Sequence, residues 1–253
     1  MHRLALLLAL GLLPLLGIAQ QRVEVWTYHL SPPFILKDEQ GLSHAFVDLL
    51  NNDPANAGRF RFELIELPRK RIDARLAKGR PGLLLWATPE FFTEAQTARA
   101  SWSEPLLVDR QEFVSLPDTA FEYEGIESLQ GKTVGGVLGH RYAGLEDAVA
   151  NGSVRRQDVR SDLQNIEKLL NGRIHTLLIP RSSLLHYRKQ HDLGRLHVSA
   201  RPLYEFSRHL LMTDSLSSSV KEYLRWFVNA LPSNPEWQIL VFHYGLDPMA
   251  VTE

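Results

Sequence analysis

The strongest constraint on this chain is a run of short strands alternating with helices that proceeds once, breaks off and begins again. Val23–Thr27 alternates as a strand, the loop Tyr28–Phe34 follows, and Phe46–Leu50 lies in a helical stretch after Gly41. Arg59–Leu67 sets Phe60, Phe62 and Leu64 on one face of a second strand. Pro68 stands where a helix can begin, with Ile72 and Leu76 one turn apart. Gly82–Trp86 is a continuously apolar run of the kind buried in a parallel sheet. The pattern restarts with the strand Thr133–Leu138, a helical stretch Tyr142–Val149, and Asp162 positioned to cap Leu163–Leu170. Gly172 ends that helix, Ile174–Ile179 is the next strand, Ser182–Arg188 is helical and Leu196–Ser199 is a short strand. Such alternation implies α/β units with mainly parallel sheets. Two strand-like segments, Gln111–Leu116 and Tyr204–Met212, bracket the second unit, so the chain crosses into it and returns by a hinge. Helices around Val220–Leu231 and Pro235–Phe242 complete the first unit.

Composition excludes several classes. With no cysteine there is no disulfide framework, thiol nucleophile, thiolate metal site or lipid-modified N-terminal cysteine. The 28 basic and 29 acidic residues nearly cancel, which argues against a protein whose affinity comes from coating nucleic acid or an anionic membrane. His2 and Arg3 precede the uncharged apolar run Leu4–Ile18, which ends in Gly17-Ile18-Ala19. A basic start, a short apolar stretch and a small-x-Ala end describe a cleavable export signal over residues 1–19, and Pro14 and the shortness of the run disfavour a membrane anchor. The mature chain is therefore expected to be exported, without stable membrane insertion.

Five motifs occur in order. The first strand leads into an aromatic loop ending Pro33-Phe34; Gly41, Ala45, Phe46 and Asp48 fit Gly-x-x-x-Gly-Phe-x-Asp with Ala for the second Gly. Thr93-Glu94-Ala95-Gln96 precedes Trp102-Ser103; Leu129 through Gly135 fits Leu-x-Gly-Lys-x-Val-Gly, with Gly139 beyond; and Gly172-Arg173-Ile174-His175 fits Gly-Arg-Ile-Asp. Through these the sequence resembles the bacterial extracellular solute-binding proteins of family 3, a polar amino-acid-binding type. The resemblance implies the two-lobed periplasmic-binding-protein type 2 fold, each lobe a mainly parallel sheet flanked by helices and joined by two hinge strands. It implies first-lobe residues 20–110 and 206–253, second-lobe residues 111–205, and a solute held in the inter-lobe cleft for an ABC-type membrane importer. A sensory binding protein signalling to a membrane receptor is the alternative on the same fold; a periplasmic dehydratase-like enzyme is a further one, with Glu90, Glu94 and His140 as the available acids.

The family's amino-acid anchors are replaced here. Its clamping Arg corresponds to Gln96, its second-lobe acid to Pro180, and the aromatic before the loop Phe to Ser31. Standard amino-acid recognition is therefore not expected, and an anionic or aromatic solute is. The candidate ligand-binding residues are Tyr28, Trp86, Thr88, Gln96, His140, Arg141, Tyr142 and Arg181, with His29 beside them; the Gly139 turn offers backbone N–H groups to an anion. Lys70, Arg71, Arg75, Lys78 and Arg80 read as a solvated helix face. No His-Glu-x-x-His motif, nucleophile elbow or P-loop occurs, so no catalytic residue, metal or cofactor is expected.

Overall fold

The computed structural model describes residues 20–38 and 40–246, so the export-signal expectation for residues 1–19 lies outside the described residues. The first unit contains β1 (Gln21–Thr27), α1 (Leu42–Asn52), β2 (Phe60–Glu66), α2 (Arg69–Ala77), β3 (Leu83–Ala87), α3 (Glu94–Thr97) and β4 (Ala100–Trp102). The crossing strand β5 (Leu107–Ser115) leads to β6 (Thr133–Val137), α4 (Glu146–Ala150), β7 (Arg155–Val159), α5 (Asp162–Leu170), β8 (Thr176–Pro180), α6 (Arg181–Gln190) and β9 (His197–Val198). The chain returns along β10 (Tyr204–Thr213) and closes with α7 (Ser218–Ala230) and α8 (Pro235–His243). Among the described residues no helix is long and apolar enough to cross a membrane.

The strand order is β2-β1-β3-β10-β5-β8-β6-β7, with β4 on β10 and β9 on β5. β1 pairs in parallel with β2 and β3, and β6 does the same with β7 and β8. The two long strands join these triplets. β10 pairs antiparallel with β5 from Tyr204↔Gln111 to Arg208↔Leu107, and its later residues pair with β3 and β4. β5 in turn pairs with β8 from Gln111↔Pro180 to Val114↔Leu177. Backbone ladders thus run unbroken through the crossing, while each triplet buries its own side chains.

In the first unit Val23 and Val25 of β1 pack under α1, α7 and α8, while Trp26 faces the opposite side with Ile72 and Leu76 of α2. In the second, Val134 and Leu178 pack with Phe113 and Tyr142 on one face, and Leu177 and Ile179 with Ile166 and Leu169 on the other. Every strand of a doubly covered sheet must be apolar on both faces, which is why β3 and β8 read as continuous apolar runs. The structure differs from expectation at three places. β7 is a strand although its residues Arg155–Val159 are mostly polar, because it is the sheet's exposed edge. The helix expected over Tyr142–Val149 is only Glu146–Ala150, and Tyr142 lies in the preceding turn. The cap of α5 is Ser161, whose hydroxyl accepts from the Gln164 N–H; Asp162 is the first helical residue and is buried.

Candidate functional site

The carboxyl ends of parallel strands are where open α/β sheets bind ligands, since the loops there diverge around a crevice. Tyr28 and His29 leave β1 at that edge with ring centroids 4.2 Å apart, and Thr88 leaves β3 beside them. Facing them are the crossing strands. Asp109 of β5 and Arg208 of β10, each 3% exposed, form an ion pair with Nη2–Oδ2 at 2.7 Å and Nε–Oδ2 at 3.1 Å. Ser182, at the start of α6, completes the carboxylate's shell: its N–H donates to Oδ1 at 3.1 Å and its hydroxyl to Oδ2 at 2.7 Å. The guanidinium also lies over the rings of Phe34 and Phe206. One buried cluster therefore ties both crossing strands to the second unit and to the loop after β1.

Arg208 Nη1 is 3.4 Å from His29 Nδ1. Arginine cannot release its proton, so Nδ1 is assigned as the acceptor and Nε2 carries the hydrogen. Burial holds the His29 pKa well below its usual value, and the neighbouring Arg208 and His140 charges push the same way. His29 is thus a neutral N–H donor, and Nε2 makes no well-aligned hydrogen bond among the described residues, although the Trp86 backbone carbonyl lies near the ring. The Tyr28 hydroxyl, Thr88 Oγ1 and Gln111 Nε2 are buried without partners among the described residues. Tyr28 is pushed up by burial, only partly offset by the Arg69 charge.

Of the expected site residues, Tyr28 and Thr88 sit at this edge, and His140 comes across from the second unit within electrostatic reach of His29. The others are engaged elsewhere. Trp86 is wholly buried in the first unit, stacked on Trp237 and edge-on to Phe46, with Nε1 donating to Ser43 Oγ at 2.9 Å. The cause is a β-bulge: His209 faces Ala87 and Leu211 faces Leu84, so β3 carries one extra residue, and Trp86 adopts φ 63°. Leu85 and Trp86 consequently face the same core, and Ala87 the other. The Tyr142 ring lies in the second core and its hydroxyl accepts from the Val137 N–H. Gln96 closes a capping box with Thr93 and donates to Asp73 Oδ1 at 3.3 Å. Arg141 has its side chain 90% exposed with Glu146 3.6 Å away, and Arg181 pairs at 3.3 Å with the buried Glu112. Asp109, Arg208 and Gln111 were not among the residues singled out from sequence. Both crossing strands carry several charged and polar residues, Arg110 and Glu112 beside Asp109 and Glu205 and His209 beside Arg208, so nothing local in the sequence marks which of them are buried and paired.

A second contact joins the units. The Ser183 hydroxyl donates to the Pro32 carbonyl at 2.7 Å, and the Asp162 carboxyl lies close beside it. Asp162 is buried, and burial lifts its pKa to about 7. Its folded value exceeds the roughly 4 of an unfolded aspartate, so the stability of the protonated form is complete below about pH 4 and is lost as pH rises through about 7. Asp162→Asn should flatten the loss of stability between pH 5 and 8 and stabilise the protein at pH 8 by on the order of 1–2 kcal/mol. Urea unfolding at the two pH values checks this, and an unchanged slope would contradict it.

A shallow depression of about 230 Å³ lies away from this edge, lined by Ala55, Arg59, Ser219, Glu222, Tyr223 and Trp226. No buried polar atom without a partner is found on those residues, so we favour the strand-end edge as the site. Among the described residues no group of three His, Asp or Glu side chains could hold a metal ion.

No known family profile matches the chain, and no curated protein matches it in sequence. Solved structures do match its shape. An ancestral arginine-binding protein bound to arginine is 18% identical, covering 89% of this chain and 98% of its own, with a TM-score of 0.66. The GluR0 ligand-binding core from Nostoc punctiforme in complex with L-glutamate is 16% identical, covering 88% and 98%, also at 0.66. An ancestral amino acid-binding protein described as a precursor of cyclohexadienyl dehydratase is 14% identical, covering 88% and 94%, at 0.64. At these identities the likeness establishes the fold: the chain has the two-lobed periplasmic-binding-protein type 2 architecture.

Proposed function

We propose that the protein captures a small polar or anionic solute in the cleft between its lobes and delivers it to a membrane importer of the ABC type. The lobes on this reading are residues 20–110 with 206–253, and residues 111–205. The observation that carries the proposal is the set of buried polar atoms left unsatisfied at one edge: the Tyr28 hydroxyl, His29 Nε2 and Thr88 Oγ1. An unsatisfied buried group costs about 1–3 kcal/mol, and a solute supplying acceptors would recover that cost on binding. Gln111 and Arg208 line the crossing strands at the same place, and His140 approaches from the second lobe. The arginine and glutamate carried by two neighbours of the same fold support a solute-binding role. Export to the periplasm through residues 1–19, and action as a monomer, complete the reading.

Lobe closure around the solute supplies the output. The ligand's binding energy offsets the cost of closing, and the closed form is what a permease recognises. A sensory output uses the same closed form; permease and ATPase genes beside this one favour transport, a sensor gene favours signalling. The dehydratase-related neighbour raises an enzymatic reading; Glu90 and Glu94 are solvent-exposed, which leaves His140 as the candidate acid at the proposed cleft.

A thermal-shift screen tests the proposal. A ligand that binds only the folded protein stabilises it by about 2.7 kcal/mol at a hundredfold excess over Kd. Anionic or aromatic solutes are expected to raise the Tm, whereas L-histidine, L-arginine and L-glutamine are not. A library that produces no shift contradicts solute capture, and a clear shift with those three amino acids contradicts the anionic preference.

A further inference from the structure

Arg69 begins α2 beside the proposed site and is held on three sides. Its Nε donates to Asp73 Oδ1 at 2.8 Å and its Nη2 to the Phe91 carbonyl at 2.9 Å, while the guanidinium carbon lies 3.9 Å from the centre of the Phe92 ring. It also stands 5.3 Å from the Tyr28 ring centre, and its charge reaches both Tyr28 and His29. The side chain keeps 31% exposure, and its described hydrogen bonds use only Nε and one N–H of Nη2. Such a fixed fork loses little entropy on binding and matches a carboxylate.

The polar atoms around it share one character. Tyr28 O–H, Thr88 O–H and His29 Nε2–H can each donate and make no well-aligned hydrogen bond among the described residues. The acids of the region each face an arginine: Asp73 faces Arg69, Asp109 Arg208, Asp158 Arg156, and Glu112 both Arg110 and Arg181, with Glu112 Oε2 left without a partner among the described residues. A solute's ammonium would enter a site rich in unmet donors whose carboxylates already face arginines, and its desolvation would be poorly compensated. Given solute capture in the cleft, on which this inference rests, we infer that Arg69 is the anion clamp, with Tyr28 as its co-donor, and that the solute is a carboxylate bearing no ammonium group.

The test uses calorimetry on the purified full chain with matched pairs: glutarate against L-glutamate, 3-phenylpropionate against L-phenylalanine, and propionate against L-alanine. At least one amine-free acid is expected to bind at least tenfold more tightly than its amino counterpart. Arg69→Gln should weaken that binding at least thirtyfold and Arg69→Lys about tenfold, because the lysine keeps charge and loses the fork. Thermal unfolding of the free variants reports whether they fold, and Arg69→Lys preserves the test should the glutamine variant fail. An unchanged Kd in the folded variants, tighter binding of the amino-bearing partners, or no binding of any amine-free acid would each overturn the inference. Binding of amino acids alone leaves solute capture standing and sinks only the clamp; silence from every solute class, cations included, sinks both.

Discussion

Asp109→Ala is expected to cost about 3–5 kcal/mol of folding stability, because it strands the Arg208 guanidinium in the interior without a counter-charge. Both residues are 3% exposed, so water cannot replace the lost carboxylate. The same substitution removes the acceptor for the Ser182 N–H and hydroxyl, which leaves the first turn of α6 with two more unmet donors. Asp109→Asn should cost less, since its amide oxygen can still accept from Arg208. Asp109→Asn combined with Arg208→Met should recover part of the loss, for an unpaired buried charge is worse than none. Urea denaturation of the single and double variants measures this. A cost below about 1 kcal/mol for Asp109→Ala would mean that the crossing strands do not depend on the pair.

Trp86→Ala is the second large effect, at about 3–5 kcal/mol, the usual range for truncating a buried aromatic. The ring packs against Phe34, Phe46 and Trp237, and its removal opens a cavity in the first lobe while orphaning the Ser43 hydroxyl. The bulge that turns the ring inward remains in the variant, because alanine at φ 63° is no more comfortable there than tryptophan. The alternative role for Trp86, a stacking platform for the solute, predicts the opposite division: a changed Kd with nearly unchanged stability. Unfolding and binding measured on the same variant separate the two.

The sheet-forming runs and the two crossing strands were legible in the sequence because burial on both faces or on one leaves a periodic trace. Gly82–Trp86 and Ile174–Ile179 read as interior strands for that reason, and the residues of β10 and β5 could be placed as the connection. The edge strand β7 left no such trace, since its residues are nearly all polar: Arg155 and Gln157 face solvent, while Arg156 pairs with Asp158 and lies over the Tyr142 ring. The site was less legible. Tyr28 and Thr88 follow directly from strand ends, but the inward turn of Trp86 depends on one extra residue in a ladder with a strand more than a hundred positions away. Arg208 meets Asp109 across 99 residues, and Arg69 acquires its significance only from the Asp73, Phe91 and Phe92 that gather round it. Pairings of that range have no period and leave no local mark.

Hydrogen–deuterium exchange on the protein with and without the solute that shifts its Tm most tests the central claim directly. A solute held between the lobes should slow exchange at the amides of Tyr28, His29 and Thr88, in the β5–β10 crossing around Gln111 and Arg208, and at His140 of the second lobe. Protection confined to the depression at Arg59, Tyr223 and Trp226, or absent from one of the two lobes, would contradict it.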